Sequence, residues 1–249
     1  MNIMAEIRKK PEQKLKPSYL KETKIKMELN ISEYHILNVS PDEYGIKRPH
    51  YSVLLSHLST YFNDSIIVDL GTRDGDSAVA LAYNNSNRVY TYDINHSSDA
   101  VEKFDKFNNI KYIIGDCLES NWKGMTLDDD MPRKVYFSSI GDKVDIKGNP
   151  KQAISDKEIF LSSKLIFLDI DPHDGSQEKI VSDFLIENDW KGIMVCDDIG
   201  TGREVENSHP DMLAWWNSIN VRKYNIADSI YSAGTGTGII CFDNQKVII

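Results

Sequence analysis

This sequence predicts an α/β fold, a mostly parallel sheet with helices on both faces, and three observations predict it. Short apolar runs of strand length alternate with segments whose apolar residues recur at helical spacing. The first of those runs, Ile66-Ile67-Val68, is continuously apolar, as in a strand buried on both sides, and it enters a tight turn at Asp69-Leu70-Gly71. Acids then recur at the ends of later runs, at Asp93, Asp116, Asp169 and Asp197-Asp198.

The elements follow in order. Arg48 to Phe62 reads as an amphipathic helix, with Val53, Leu54, Leu58 and Phe62 near one face. The strand at Ile66 is followed by a small-residue helix from Ser77 to Tyr83. Arg88–Tyr92 is a strand, Ser98–Phe107 a helix and Ile110–Ile114 a strand. Lys164–Leu168, Ser176–Glu187 and Gly192–Cys196 repeat the strand-helix-strand pattern. Ser208–Ile219 is a helix with Ser208 as its N-cap and Pro210 in its first turn. Lys223–Ala227 and Gly238–Phe242 are the last two strands.

A chain of 249 residues suits one such domain over 48–249, preceded by a leader and cap segment over 1–47. One stretch exceeds a simple crossover. Residues 119–163 read as an insertion over the active-site edge, with a hairpin (Val135–Ser139 against Lys143–Ile146) and a short helix before Lys164. Asp128-Asp129-Asp130 within it is read as a solvated turn.

The net charge of −9 argues against broad capture of nucleic acid, which depends on Lys and Arg neutralising phosphates. Three scattered cysteines show neither a disulfide framework nor zinc spacing, and the expected compartment is a reducing cytoplasm. No apolar run approaches a membrane span, and the basic N-terminus lacks the apolar stretch of a signal peptide. The Lys-rich stretch Arg8–Lys26 reads as a solvated leader.

Ligands of open α/β sheets bind beyond the carboxyl ends of the strands. The first such end reads Asp69-Leu70-Gly71-Thr72-Arg73-Asp74-Gly75-Asp76-Ser77. Gly71 permits the tight turn, and Gly75 would let a ligand approach the backbone where the helix begins. The spacing Gly-x-x-x-Gly is not the Gly-x-Gly-x-x-Gly that seats a pyrophosphate, and the neighbouring acids would repel phosphate but tolerate a sulfonium. Asp93 lies about 20 residues on, where an acid accepts hydrogen bonds from ribose hydroxyls. Asp116, beside Cys117 at the third strand end, could meet an adenine amino group. Each acid has a plainer reading as a turn cap.

The order VDLGTRDGDS, VYTYDIN, YIIGDC, IFLDIDPHDG, MVCDDIG resembles the class I S-adenosylmethionine-dependent methyltransferases over roughly 66–242. Within that class it is most similar to the metal-dependent small-molecule O-methyltransferases related to catechol O-methyltransferase. The resemblance implies a Rossmann-like seven-stranded sheet whose last strand is antiparallel. It implies an S-adenosylmethionine site made by Asp69, Gly71, Thr72, Gly75 and Ser77, with Asp93 at the ribose and Asp116 and Cys117 at the adenine.

Acids at the fourth and fifth strand ends would gather on one rim, and so many carboxylates need a cation or shared protons. The resemblance places a metal on Asp169, Asp197 and Asp198, and oxygen ligands suit Mg²⁺ or another divalent cation. Asp198 stands where those relatives commonly carry Asn. Their lysine base, three residues after the first metal acid, is replaced here by Pro172, which leaves His173 as the nearest base beside Asp169. The expected partner is a small polar acceptor such as a sugar or diol, without nucleic acid or membrane, and a homo-oligomer stays open. Two other readings stand beside this one. A methyltransferase-like binding module would keep the cofactor without the chemistry. A nicotinamide-dependent oxidoreductase is opposed by the loop spacing and the lack of a Tyr-x-x-x-Lys pair. Ser232–Gly238 is read as a flexible polar segment and not a phosphate loop, and Trp215-Trp216 as packed against the sheet.

Overall fold

The computed structural model describes residues 23–24, 51–114, 134–137, 156–201, 209–229 and 231–242. Within its sheet, β2 (Ile66–Leu70) parts odd and even positions to opposite faces. Ile66, Val68 and Leu70 join one apolar cluster and Ile67 the other. The same two-residue alternation separates Ile166 and Leu168 from Leu165 and Phe167 on β6 (Ser163–Leu168). A strand buried on both faces must be apolar at both parities, and that is why the sequence runs here are continuous.

The other strands are β1 (Thr23–Lys24), β3 (Arg88–Asp93), β4 (Ile110–Ile114), β5 (Lys134–Phe137), β7 (Ile193–Cys196), β8 (Arg222–Asn225) and β9 (Gly238–Cys241). They form one sheet in the order β1-β8-β9-β7-β6-β2-β3-β4-β5. Without the two edge strands this is the expected seven-stranded sheet, with β9 antiparallel to both β7 and β8. Strand order reverses between β2 and β6, which pair in parallel as Leu70↔Leu168, so the cleft opens at their carboxyl ends.

Helices cover both faces. On one lie α1 (Tyr51–Ser59), α2 (Asp76–Leu81) and α3 (Ser98–Phe104), burying Leu54, Leu58, Leu81 and Phe104. On the other lie α4 (Asp156–Ser162), α5 (Ser176–Glu187) and α6 (Pro210–Ser218), burying Phe160, Leu185 and Trp216. Trp215 and Trp216 are both buried against the sheet as expected. The Trp215 indole donates to Ser182 Oγ at 3.2 Å, which satisfies its buried N–H.

Several boundaries differ from expectation. α1 stops at Ser59, because Thr60, Tyr61 and Phe62 turn back onto residues three earlier. The N-cap of α6 is His209, not Ser208; its side chain makes no capping bond, and Pro210 needs none at the first position. Within the basic leader, Thr23 and Lys24 pair in parallel with Tyr224 and Asn225, giving the sheet an edge strand where solvated chain was expected. In the insertion, Lys134–Phe137 pairs antiparallel with β4. The expected partner of that hairpin, 143–146, lies outside the described residues, as does the triplet 128–130. Cys196 and Cys241 are both buried. Among the described residues no helix is long and apolar enough to cross a membrane.

Candidate functional site

The β2–α2 turn is built by backbone contacts that dictate its residues. Gly71 has φ +96°, and a Cβ there would fall 1.7 Å from the Asp169 carbonyl oxygen. Only glycine meets both conditions. The Gly71 and Thr72 amides donate to the Tyr92 carbonyl at 2.9 and 3.2 Å, and Gly75 closes the turn onto Thr72 at 2.7 Å. Asp93 then pins the turn to the end of β3. Its Oδ2 accepts from the Arg73 amide at 2.7 Å and its Oδ1 from the Asn95 amide at 2.8 Å. Asp93 thus stands at the strand end the sequence assigned, and it also organises the loop. At Gly75 a Cβ would meet the Phe104 ring at 2.9 Å, so its missing side chain makes room for α3.

Asp69 is fully buried on the α1–α2 face, in register with Thr91 of β3. Thr91 donates to its Oδ2 at 2.5 Å, and Thr72 Oγ1 lies 2.5 Å from Thr91 Oγ1. Thr91 has one proton, so Thr72 must be the donor to Thr91. The other carboxylate oxygen, Oδ1, is sealed from solvent without a well-formed hydrogen bond. Burial pushes the Asp69 carboxyl up to about 7, against the hydroxyls of Thr91 and Ser77, and the Asp93 charge adds to the rise. Buried Ser77, in the first turn of α2, therefore acts on the same acid. Asp116 and Cys117 lie outside the described residues.

The second part of the site is a rim of acids beside that turn. Asp169 follows β6, with its amide bonded to the Leu70 carbonyl at 2.9 Å, and Asp197 follows β7, bonded to Leu168 at 3.1 Å. Parallel pairing of β6 with β7 is what brings these chain-distant acids together. His173 reaches back over the rim from a left-handed backbone, φ +53°. Its Nε2 lies 3.2 Å from Asp171 Oδ1, 3.4 Å from Asp198 Oδ2 and 3.9 Å from Asp169 Oδ1. Ligand-type atoms of Asp169, His173 and Asp198 all fall within 4.8 Å of one another.

The grouping departs from the expected metal set in one member. Asp197 is buried, and its Oδ1 accepts from Thr237 at 3.0 Å; it is not among the converging atoms, while His173 is. Burial, with Asp198, Asp69 and Asp171, raises the Asp169 carboxyl to about 7 against the pull of Arg73. Asp197 is driven well above the usual range by burial, Asp169 and Asp198. Asp198 is raised by burial despite the opposing charges of His173 and His209.

Sequence reasoning missed several residues here. Thr235 and Thr237, in the segment read as flexible, place hydroxyls on Asp198 and Asp197. Tyr51, read only as part of α1, has its ring 5.0 Å from that of Phe167. Burial and the charges of Asp169, Asp197, Asp69 and Asp76 push its hydroxyl well above the usual value, so it stays protonated. The His209 ring stands 5.8 Å from that of His173. Glu178 of α5 is buried with both carboxylate oxygens lacking partners. No local pattern marks these residues, because each gains its meaning from a strand or helix distant in the chain.

No protein-family model matches this chain, and no curated protein does. Solved structures with a similar fold include the O-methyltransferase TomG of Streptomyces achromogenes in complex with SAM, 14% identical with TM-score 0.46, covering 85% of each chain. A Bacillus cereus O-methyltransferase in complex with SAH is 12% identical, TM-score 0.46, covering 85% of this chain and 87% of that one. A SAM-dependent methyltransferase of Aquifex aeolicus is 14% identical, TM-score 0.43, covering 86% and 97%. Seven central strands with β9 reversed are the sheet that the resemblance to class I methyltransferases implies.

Proposed function

We propose that this chain transfers the methyl group of S-adenosylmethionine to a hydroxyl of a small polar acceptor such as a sugar or diol. The observation that carries the reading is the contact of Gly71 with the Asp169 carbonyl. It sets the cofactor-type turn and the acid–histidine rim against each other in one cleft. The turn offers no cradle for a pyrophosphate, and Asp93 at the end of β3 is the acid for a cationic, ribose-bearing ligand.

In the transfer, the sulfonium S–CH₃ bond breaks as the O–CH₃ bond forms, and the hydroxyl proton leaves to the rim. Most of the catalysis is then positioning, with acceptor oxygen, methyl carbon and sulfur in line. The donor set on the rim fits a divalent cation held by Asp169 and Asp198 with His173. Such a cation, when bound, lowers the pKa of an acceptor hydroxyl. Exposed Asp171, 3.2 Å from His173, gives the released proton a route to water. His173 enters in one of two capacities, as proton acceptor or as cation ligand. Asp169 serves as the inner carboxylate in both.

Calorimetric titration of the full chain with S-adenosylmethionine, S-adenosylhomocysteine and NAD tests the cofactor. Labelled-methyl transfer to a panel of sugars and diols tests the reaction. Binding of NAD and not the adenosyl ligands would overturn the reading. Adenosyl binding with no transfer to any acceptor would favour the binding module, for which the Pro172 substitution speaks.

A further inference from the structure

We infer that His173 is a metal ligand, and that with Asp169 and Asp198 it makes a mixed nitrogen–oxygen site selecting a transition-metal dication over Mg²⁺. The inference rests on the proposed rim and asks which ion it takes. It departs from the all-oxygen set that the sequence resemblance implies, in which Asp197 is a ligand and His173 is not.

Three observations carry it. The first is convergence, since Nε2 of His173 and one oxygen each of Asp169 and Asp198 lie within 4.8 Å of one another. The second is spacing. Zinc-type bonds of about 2.0–2.1 Å in tetrahedral arrangement put ligand atoms about 3.3 Å apart. Nε2 is 3.4 Å from Asp198 Oδ2 and 3.9 Å from Asp169 Oδ1, separations that a small shared ion spans with little movement. The third is the commitment of the alternative ligand. Asp197 Oδ1 accepts from Thr237, whose hydroxyl is itself fixed by the Ala233 amide at 3.0 Å. That hydroxyl network commits one oxygen of Asp197, and Asp197 is not among the converging ligand atoms.

The donor chemistry then selects the ion. Mg²⁺ prefers six oxygens in near-octahedral order and retains several waters, whereas imidazole suits Zn²⁺, Fe²⁺, Co²⁺ and Ni²⁺. His209 faces the same region, its ring 5.8 Å from that of His173 and its charge acting on Asp198. It lies outside the converging set and is left as a neighbour.

The test uses the chelator-treated full chain without S-adenosylmethionine, so its outcome is separate from that of the methyl-transfer reading. Co²⁺, Zn²⁺ and Mg²⁺ are titrated by calorimetry into wild type, His173→Ala and Asp197→Asn. Co²⁺ and Zn²⁺ are expected to bind at least tenfold tighter than Mg²⁺ to wild type. His173→Ala should weaken Co²⁺ and Zn²⁺ by tenfold or more and change Mg²⁺ less than threefold. Asp197→Asn should change all three less than threefold. Should His173→Ala fail to fold, pulsed electron resonance of the Mn²⁺-loaded wild type decides, by the presence of coupling to an imidazole nitrogen. Equal affinity for Mg²⁺ with no nitrogen coupling would overturn the inference in favour of an oxygen-only site. No binding of any ion would overturn it in favour of a histidinium–carboxylate cluster. Failure to bind S-adenosylmethionine would overturn the methyl-transfer reading and leave the metal result standing.

Discussion

Thr91 and Asp69 face each other across the β2–β3 ladder, and the Thr91 hydroxyl, 2.5 Å from Asp69 Oδ2, is the group that keeps a fully buried carboxyl supplied with a donor. Thr72 donates to Thr91 in turn, so a turn residue reaches the acid through a strand residue. Thr91→Val keeps the shape and removes the donor. It is expected to cost about 1–3 kcal/mol of stability above pH 7, the range for a buried polar group left unpaired. Thr91→Ser should recover most of this in chemical denaturation. Equal stability of Thr91→Val and wild type at pH 8 would show that the chain of hydroxyls is incidental.

Asp69 itself ties stability to pH. Its folded carboxyl titrates near 7 and an unfolded one near 3.8, so the folded state binds the proton more tightly. Its contribution is therefore most favourable below pH 3.8 and is lost progressively as pH rises through 7. Asp69→Asn should unfold at higher temperature than wild type at pH 8, with the advantage shrinking towards pH 4. Thermal unfolding across pH measures this.

Asp93→Ala is expected to weaken S-adenosylmethionine binding by about 1.5–3 kcal/mol, the range for hydrogen bonds to a charged group. It also releases the amides of Arg73 and Asn95 that the carboxylate now holds. Unchanged affinity in a folded variant would remove Asp93 from the cofactor site.

Glu178 titrates near 7 in the folded state because burial dominates, with Asp174 and Asp198 adding to the rise. The sign is that of Asp69: stability declines as pH climbs from about 4.5, the ordinary value of a glutamate, to about 7. Glu178→Gln should therefore stabilise the protein by about 1–3 kcal/mol at pH 8 and leave it nearly unchanged at pH 4. Urea unfolding at the two pH values measures this. A variant destabilised at pH 8 would mean that the carboxylate has a cationic partner there.

Excess chelator should abolish methyl transfer while leaving S-adenosylmethionine affinity within about twofold, because the rim and the cofactor turn use different side chains. Loss of both together would mean that the cation also orders the cofactor turn.

Much of this molecule was legible in the sequence because it depends on neighbours in the chain. Ile66-Ile67-Val68 is apolar at both parities, and so its burial on both sheet faces could be read directly. Gly71 and Asp93 could be placed at strand ends from spacing alone. What tertiary structure decided were pairings between distant segments. Gly75 turned out to face Phe104 of α3, a direction that φ and helix packing set together. Thr235 and Thr237 bond Asp198 and Asp197 because reversal of β9 against β7 carries both threonines over the end of that strand. The basic leader and the insertion each lend the sheet an edge strand, at β8 and β4, whose open backbone groups accept any extended chain of suitable register. Side-chain chemistry along one strand is a local property. Which carboxylate meets which hydroxyl is a property of strand order, and strand order is settled only when all seven central strands pack around a shared pair of cores.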